Sequence, residues 1–130
     1  MIVLDASALI EVLLQTQAAA GIEQRIFVGR ETLHAPHLLD LEVASAFRRQ
    51  VALGAVDAER AALALALHRN LRIMRHPHYP YLDRIWGLRS NFSAYDACYV
   101  ALAEALGATL LTRDKALASA RLQRGNVEVI

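Results

Sequence analysis

The segment Ser93–Asp114, SAYDACYVALAEALGATLLTRD, encodes a helix followed by a strand and decides the fold of the chain. Ser93 and Asp96 have the three-residue spacing of a capping box, which satisfies free N–H groups at the start of a helix. The Ala- and Leu-rich run 94–106 favours a helix, and Gly107 is typical of the residue that follows a helix end. The pattern therefore predicts a helix that carries a carboxylate in its first turn.

Two predicted strands are each followed by an acid. The apolar run 108–111 has the length of a buried strand, and Asp114 lies just past it. Near the start of the chain, the apolar residues 2–4 are followed at once by Asp5. In an open parallel α/β sheet, groups beyond the carboxyl ends of the strands converge on one crevice. We therefore expect these acids and Asp96 to lie close together.

Strand and helix patterns alternate along the rest of the chain, which predicts a parallel α/β sandwich. Ser7 is the predicted cap of the first helix. We expect strands at 2–4, 32–35, 71–74, 108–111 and 127–130, and helices at 8–15, 18–28, 37–53, 58–69, 81–88, 94–106 and 115–122.

The composition limits the class of protein. A chain of 130 residues predicts a single domain, 1–130. It has no apolar run of the ~18–20 residues that a membrane span needs, and the early charge at Asp5 argues against a signal peptide. The single cysteine, Cys98, has no partner within the chain for a disulfide. This fits a reducing compartment, so we expect a cytoplasmic protein.

Arginine dominates the basic residues and is concentrated in the second half of the chain. Five arginines but only one acid lie between Arg69 and Arg89, which suggests a surface that faces phosphates. Arg84, Arg89 and Arg113 are the candidate phosphate contacts. Surface salt bridges and a solvated helix face are the alternative interpretations.

Glu42 is unusual because it lies within the apolar stripe of the predicted helix 37–53. Leu38 and Leu39 precede it by one helical turn, and Ala46 follows it by one turn. A carboxylate on an inward face is costly unless it is paired or binds a metal. Glu42 therefore joins the three aspartates as a candidate site residue.

Several carboxylates in one place repel one another and resist ionisation, and a hard dication removes that penalty. Mg²⁺ and Mn²⁺ prefer oxygen ligands, and two such ions can support phosphodiester hydrolysis. Each acid also has a structural interpretation. The aspartates could be helix caps or turn residues, and Glu42 could form a salt bridge with Arg48 or Arg49.

The chain resembles the PIN-domain ribonucleases of the VapC toxin type. The resemblance is carried by four blocks in the same order and at similar spacing through nearly the whole chain. They are Val3–Ser7, Leu41–Val43, Ser93–Ala97 with Tyr99–Ala103, and Leu110–Asp114.

This resemblance implies a five-stranded parallel sheet sandwiched between helices and a Mg²⁺- or Mn²⁺-dependent endoribonuclease. It further implies a toxin that forms a homodimer and is inhibited by a cognate antitoxin. The acids that match the catalytic and metal-binding positions are Asp5, Glu42, Asp96 and Asp114, and the supporting hydroxyls are Ser7 and Thr112.

Two other functions are compatible with an α/β chain of this length. A signalling receiver domain also has a Mg²⁺-binding acidic pocket, but it needs paired acids after the first strand and a phospho-acceptor aspartate after a middle strand. Asp5 is single, and the predicted third strand ends in Arg75-His76. A PIN-like module without catalysis, which only binds RNA or a partner, is the other alternative, and the presence of all four acids argues against it.

Overall fold

A parallel five-stranded sheet forms the middle layer of the computed structural model, which describes residues 1–130. Neighbouring strands are parallel throughout, in the order β3-β2-β1-β4-β5. The strands are β1 (Ile2–Leu4), β2 (Leu33–Pro36), β3 (Ile73–His76), β4 (Thr109–Thr112) and β5 (Asn126–Val129). The five-stranded parallel α/β fold is therefore confirmed.

Helices cover both faces of this sheet. A π-helical turn, Gln24–Val28, continues the second helix, and 3₁₀ turns occupy Tyr79–Tyr81 and Lys115–Ser119. No helix combines the length and the apolar character that a membrane crossing requires. The α-helices are α1 (Ala6–Leu14), α2 (Ala19–Glu23), α3 (Leu38–Ala52), α4 (Ala58–Asn70), α5 (Leu82–Gly87) and α6 (Ala94–Leu106).

Two hydrophobic cores lie on opposite faces of the sheet. Ile2 and Leu4 of β1 pack with α1 to α4, whereas Val3 packs with α6. All three side chains are fully buried. Because both faces of a parallel sheet are covered, its central strand is apolar at every position instead of alternating.

The predicted boundaries differ from the structure most clearly at three elements. The first helix begins at Ala6, and Ser7 does not cap it, because its hydroxyl donates to Asp5 and accepts a bond from the N–H of Arg113. The third strand begins at Ile73 and not at residue 71, because the N–H of Leu71 still bonds to carbonyl groups of α4. Only a 3₁₀ turn forms in the predicted helix 115–122, because the chain becomes extended at Ala120 and turns toward β5.

The turn before β5 requires a glycine, which generates a test of the fold. Gly125 has a φ of +86°, and a Cβ built there would lie 2.1 Å from the carbonyl oxygen of Ala108. We expect Gly125→Ala to destabilise the protein by at least about 1–3 kcal/mol, since the backbone itself must move. The melting temperature should fall by about 3–6 °C per kcal/mol in a chain of this size.

Gly21→Ala is the matched control for this substitution. Gly21 lies within α2, and a Cβ added there meets nothing within 4 Å. This variant should melt at or slightly above the wild-type temperature, because alanine is the better helix former. Equal melting temperatures for the two variants would contradict the assignment of a close approach at Gly125.

Candidate active site

The structure brings the four predicted acids to one open cleft of about 560 Å³. Asp5 follows β1 directly, and Asp114 lies two residues beyond β4. Glu42 comes from the second turn of α3, and Asp96 comes from the first turn of α6. The cleft thus opens at the carboxyl ends of two neighbouring central strands, where parallel sheets place their ligand sites.

Two hydroxyl groups hold the carboxylate of Asp5. Its Oδ2 accepts hydrogen bonds from the Oγ of Ser7 and, at 2.7 Å, from the Oγ1 of Thr112. The same hydroxyls accept bonds of 2.9 Å from the backbone N–H groups of Arg113 and Asp114, respectively. These bonds fix the end of β1 against the end of β4, so the positions of Asp5 and Asp114 are linked.

Asp5 is only 8% exposed. Burial raises the pKa of its carboxyl group, because the charged form loses hydration, and the hydrogen bonds from Ser7 and Thr112 partly oppose that rise. Ionised Asp5 is therefore unfavourable in this site unless a positive charge lies close to it.

Tyr99 contacts the site through Glu42 and was not among the predicted site residues. The Tyr99 hydroxyl donates a 2.5 Å hydrogen bond to Oε2 of Glu42. The salt bridge considered between Glu42 and Arg48 or Arg49 is not formed. A signal was present in the sequence, because Tyr99 follows Asp96 by three residues and so lies on the same side of the helix.

Burial raises the pKa of Glu42 above the usual value for a glutamate. The bond from Tyr99 opposes this rise, and the negative charges of Asp5 and Asp96 add to it. The pKa of Tyr99 is also raised, first by burial and then by its bond to Glu42. The phenol therefore stays protonated at neutral pH and acts as the hydrogen-bond donor.

Asp96 and Asp114 are held differently from the other two acids. Ser93 caps α6 by accepting a hydrogen bond from the N–H of Asp96 at 3.1 Å, which forms one half of the predicted capping box. The Asp96 carboxylate makes no hydrogen bond and lines the cleft. One oxygen of Asp114 accepts a 2.8 Å bond from the N–H of Ala116 and caps the 3₁₀ turn. Asp114 thus combines a structural contact with a place in the cleft.

The donor set suits a hard divalent cation. No three acidic, histidine or cysteine side chains come close enough together to enclose a metal ion as they stand. Mg²⁺, however, is usually held by one or two carboxylates and keeps several waters, which fits an open cleft lined by four carboxylates. The charges of Asp5 and Asp96 already raise the pKa of Glu42, so a cation there would relieve repulsion.

Two of the predicted phosphate contacts face other parts of the protein. Arg84 forms a two-pronged pair with Glu104 at 2.7 and 2.8 Å, which is the salt-bridge alternative considered for it. The physical reason is that Glu104 is buried and needs a charged partner. Arg89 packs over the ring of Trp86, 4.8 Å from its centre.

The third predicted arginine, Arg113, bonds the carbonyl oxygen of Ile130 at 3.0 Å and does not line the cleft. The cation that does line the cleft is Arg49, for which the sequence indicated only a possible salt bridge with Glu42. Arg49 follows Glu42 by seven residues, two helical turns, and so lies on the same face of α3. It forms no salt bridge in the structure.

The raised pKa of Asp5 generates a test by pH. An acid with a raised pKa in the folded state stabilises the fold fully only below its unfolded value, about 3.9, and this contribution is lost as the pH rises through the folded pKa. Asp5→Asn removes that dependence. In EDTA, we expect the free energy of unfolding of the variant relative to wild type to increase from about pH 3.5 to pH 7, by ~1.4 kcal/mol for each pH unit by which the pKa is raised. The melting temperature of the variant should rise relative to wild type over the same range.

The comparison of the two proteins cancels the opposite dependence of Asp40 and Glu104, whose pKa values are lowered. Asp83→Asn, which replaces an exposed acid on α5 outside the cleft, is the control. A melting difference between Asp5→Asn and wild type that did not change with pH would contradict the buried, charged Asp5.

Comparisons with known proteins identify the family of the chain. Residues 2–122 match the model of the PIN domain family. Ribonuclease VapC9 of Mycobacterium tuberculosis is 47% identical over 117 residues, which is 88% of this chain and 86% of that protein. Ribonuclease VapC12 of the same species is 37% identical over 130 residues, which covers 100% of this chain and 99% of that protein.

Two solved structures share the fold. PAE2754 from Pyrobaculum aerophilum superposes with a TM-score of 0.71 at 24% identity, covering 99% of this chain and 83% of that chain. VapBC2 from Rickettsia felis, bound to a DNA fragment from its promoter, gives a TM-score of 0.70 at 14% identity and covers 99% and 98%. The family match and the two mycobacterial relatives show that the chain belongs to the PIN-domain family, among the VapC ribonucleases.

Proposed function

We propose that this protein is a divalent-metal-dependent endoribonuclease that acts as the toxin of a toxin–antitoxin pair. The observation that carries the proposal is the convergence of four carboxylates on one cleft at the ends of β1 and β4. The relatives named ribonucleases cover most of the chain, which supports the same activity here. The substrate bond is the phosphodiester linkage of RNA.

The acids would hold the cation, and the rest of the cleft would orient the substrate. A bound divalent cation supplies charge stabilisation at the phosphate and a more acidic water. Asp5, Glu42, Asp96 and Asp114 are the proposed catalytic and metal-binding residues. Ser7 and Thr112 keep Asp5 in place through their hydrogen bonds to its Oδ2.

We propose Mg²⁺ or Mn²⁺ as the metal. The proposed ligands are all carboxylate oxygens, and no cysteine or histidine lines the cleft. Oxygen-only sites favour hard cations such as Mg²⁺ and Mn²⁺ over zinc or copper.

Arg49 is the proposed phosphate contact in place of Arg84. It lines the same cleft as the acids and is not engaged in a salt bridge. Tyr95 also lines the cleft and is 61% exposed, so its ring is available to stack on a base of the RNA. Both side chains line the cleft that holds the four acids, which supports a role in RNA binding.

We further propose an antitoxin partner and a homodimer in the cytoplasm. An apolar pocket of about 250 Å³ between α3, α5 and α6 adjoins the acidic cleft and shares Leu38, Leu41 and Tyr95 with it. Leu41 and Trp86 are large apolar side chains that this chain leaves exposed. Such surfaces mark sites of protein association.

The receiver-domain alternative conflicts with the structure and with the family. β3 ends at His76 and offers no acid where a phospho-acceptor would lie, and residues 2–122 match the PIN domain. The catalytically silent alternative differs from the proposal in one measurable way, which is whether RNA is cut.

The test of the nuclease is the substitution Asp96→Asn. This residue makes no hydrogen bond through its carboxylate, so its loss should leave the fold intact. We expect the rate of Mg²⁺- or Mn²⁺-dependent RNA cleavage to fall by at least about 100-fold. Replacing a residue that only supports a metal ligand costs about 10- to 100-fold, and loss of a direct ligand should cost at least as much. Gel analysis of purified protein with Mg²⁺, Mn²⁺ or EDTA measures the rate.

Asp83→Asn makes the same chemical change on α5, outside the cleft, and should cleave RNA like wild type. Undiminished cleavage by Asp96→Asn, or by wild type in EDTA, would contradict the proposed metal-dependent site. A wild-type protein that binds RNA and never cuts it would favour the silent module.

Arg49→Gln tests the phosphate contact. Loss of one phosphate-neutralising cation should weaken RNA binding and reduce the slope of log affinity against log salt by about 0.7–1. Binding to a non-cleaved single-stranded oligonucleotide in EDTA, measured by fluorescence anisotropy over a salt series, gives both values.

Arg48→Gln is the matched control, because it removes the same charge from the neighbouring position of α3. Arg48 does not line the cleft. An equal effect of the two substitutions would mean that Arg49 acts only through the net charge of the protein.

A further inference from the structure

Helix α6 supplies two groups to the acidic site. Asp96 lines the cleft directly, and Tyr99, three residues later, lies beneath it with only 1% of its surface exposed. Tyr99 packs in the hydrophobic core between α6 and the sheet. Its ring is therefore fixed by packing, and its hydroxyl is held at one place.

The hydroxyl meets the carboxylate of Glu42 on the facing helix α3. The 2.5 Å bond to Oε2 is the hydrogen bond that the Glu42 side chain makes in this structure. A glutamate has three side-chain torsions, and the last of them is broad. A glutamate among other negative charges would be expected to rotate away from them unless something holds it.

Repulsion is present at this position. The charges of Asp5 and Asp96 act on Glu42, and no cation pairs with it. The bond from Tyr99 occupies one oxygen of the Glu42 carboxylate and leaves Oε1 without a hydrogen-bond partner. The contact thus holds the carboxylate in the cleft with one oxygen free.

We propose that Tyr99 is a positioning residue that fixes Glu42 for divalent-metal binding. The inference rests on the proposed metal site of the ribonuclease. Tyr99 touches neither substrate nor metal in this role. It acts through Glu42, in the way that outer partners orient metal-binding carboxylates in other sites.

The hydrogen bond has a competing explanation. A buried phenol needs a hydrogen-bond partner, and Glu42 could serve only to satisfy Tyr99. Under that explanation, loss of the hydroxyl changes the stability of the protein and leaves its metal affinity unchanged. The two roles therefore differ in a quantity that can be measured without cleavage.

The experiment is Mn²⁺ titration of wild type and Tyr99→Phe, followed by the electron paramagnetic resonance signal of free Mn²⁺. We expect the affinity for Mn²⁺ to fall by about 10- to 100-fold. RNA cleavage should fall similarly at limiting metal and recover in part at high Mn²⁺. Circular dichroism and melting in EDTA report the fold of each variant independently of the metal.

Tyr81→Phe is the matched control. Tyr81 is a partly buried tyrosine that packs against the same core, and its hydroxyl makes no hydrogen bond to the acids. It should bind Mn²⁺ like wild type.

A double-mutant cycle with Glu42→Ala identifies the route of the effect. If Tyr99 acts through Glu42, Tyr99→Phe causes no further loss of Mn²⁺ affinity in the Glu42→Ala background. An equal loss in both backgrounds overturns the proposal, because Tyr99 would then act on the site by another route.

The outcomes also separate this proposal from the proposed function. Wild-type Mn²⁺ affinity in a folded Tyr99→Phe, with cleavage by the wild-type protein intact, overturns the role of Tyr99 and leaves the nuclease standing. A wild-type protein that bound no Mn²⁺ would overturn both.

Discussion

The hydrogen bonds to one oxygen of Asp5 are the interaction on which the site depends. Burial makes the ionised carboxylate unfavourable, and the hydrogen bonds from the hydroxyls of Ser7 and Thr112 partly offset that cost. Both hydroxyls also accept hydrogen bonds from backbone N–H groups of the segment after β4. The same few atoms therefore stabilise a charge, join two strand ends and set the direction in which the chain leaves the sheet.

Charge is treated differently in the cleft and elsewhere in the protein. The buried Glu104 is paired with Arg84 and accepts a further bond from the N–H of Gln123, and its pKa is lowered. In the cleft, the pKa values of Asp5 and Glu42 are raised. The protein thus pairs the buried Glu104 with an arginine but forms no salt bridge with Asp5 or Glu42. An external cation would complement this arrangement in the cleft.

Local signals made much of the fold predictable. The helix at 94–106 and its Gly107 end were confirmed at both boundaries, because the cap, the helix formers and the stop signal lie within fifteen residues. The strands were located to within two residues by their apolar runs. The approach of the acids to one another was predictable from the rule that parallel strands end at the same edge.

Side-chain pairings across the fold were not predictable in this way. The partner of Tyr99 is 57 residues away, and the hydroxyls of Ser7 and Thr112 are 105 residues apart. Periodicity shows which face of a helix is buried, but not which group on another helix that face meets. The pairing of Arg84 with Glu104 was unpredictable for the same reason, since this partner on α6 lies 20 residues further along the chain.

The position of β1 between β2 and β4 has a consequence for how the protein comes into being. Leu4 pairs with Leu111, and Asp5 receives a bond from a residue 107 positions later. Contacts of such long sequence separation form late and slowly. A ribosome that adds ~5–20 residues per second releases these partners seconds apart. The acidic cleft therefore cannot assemble in the nascent chain until Asp114 has emerged, and for most of its synthesis the growing polypeptide holds no complete acidic site.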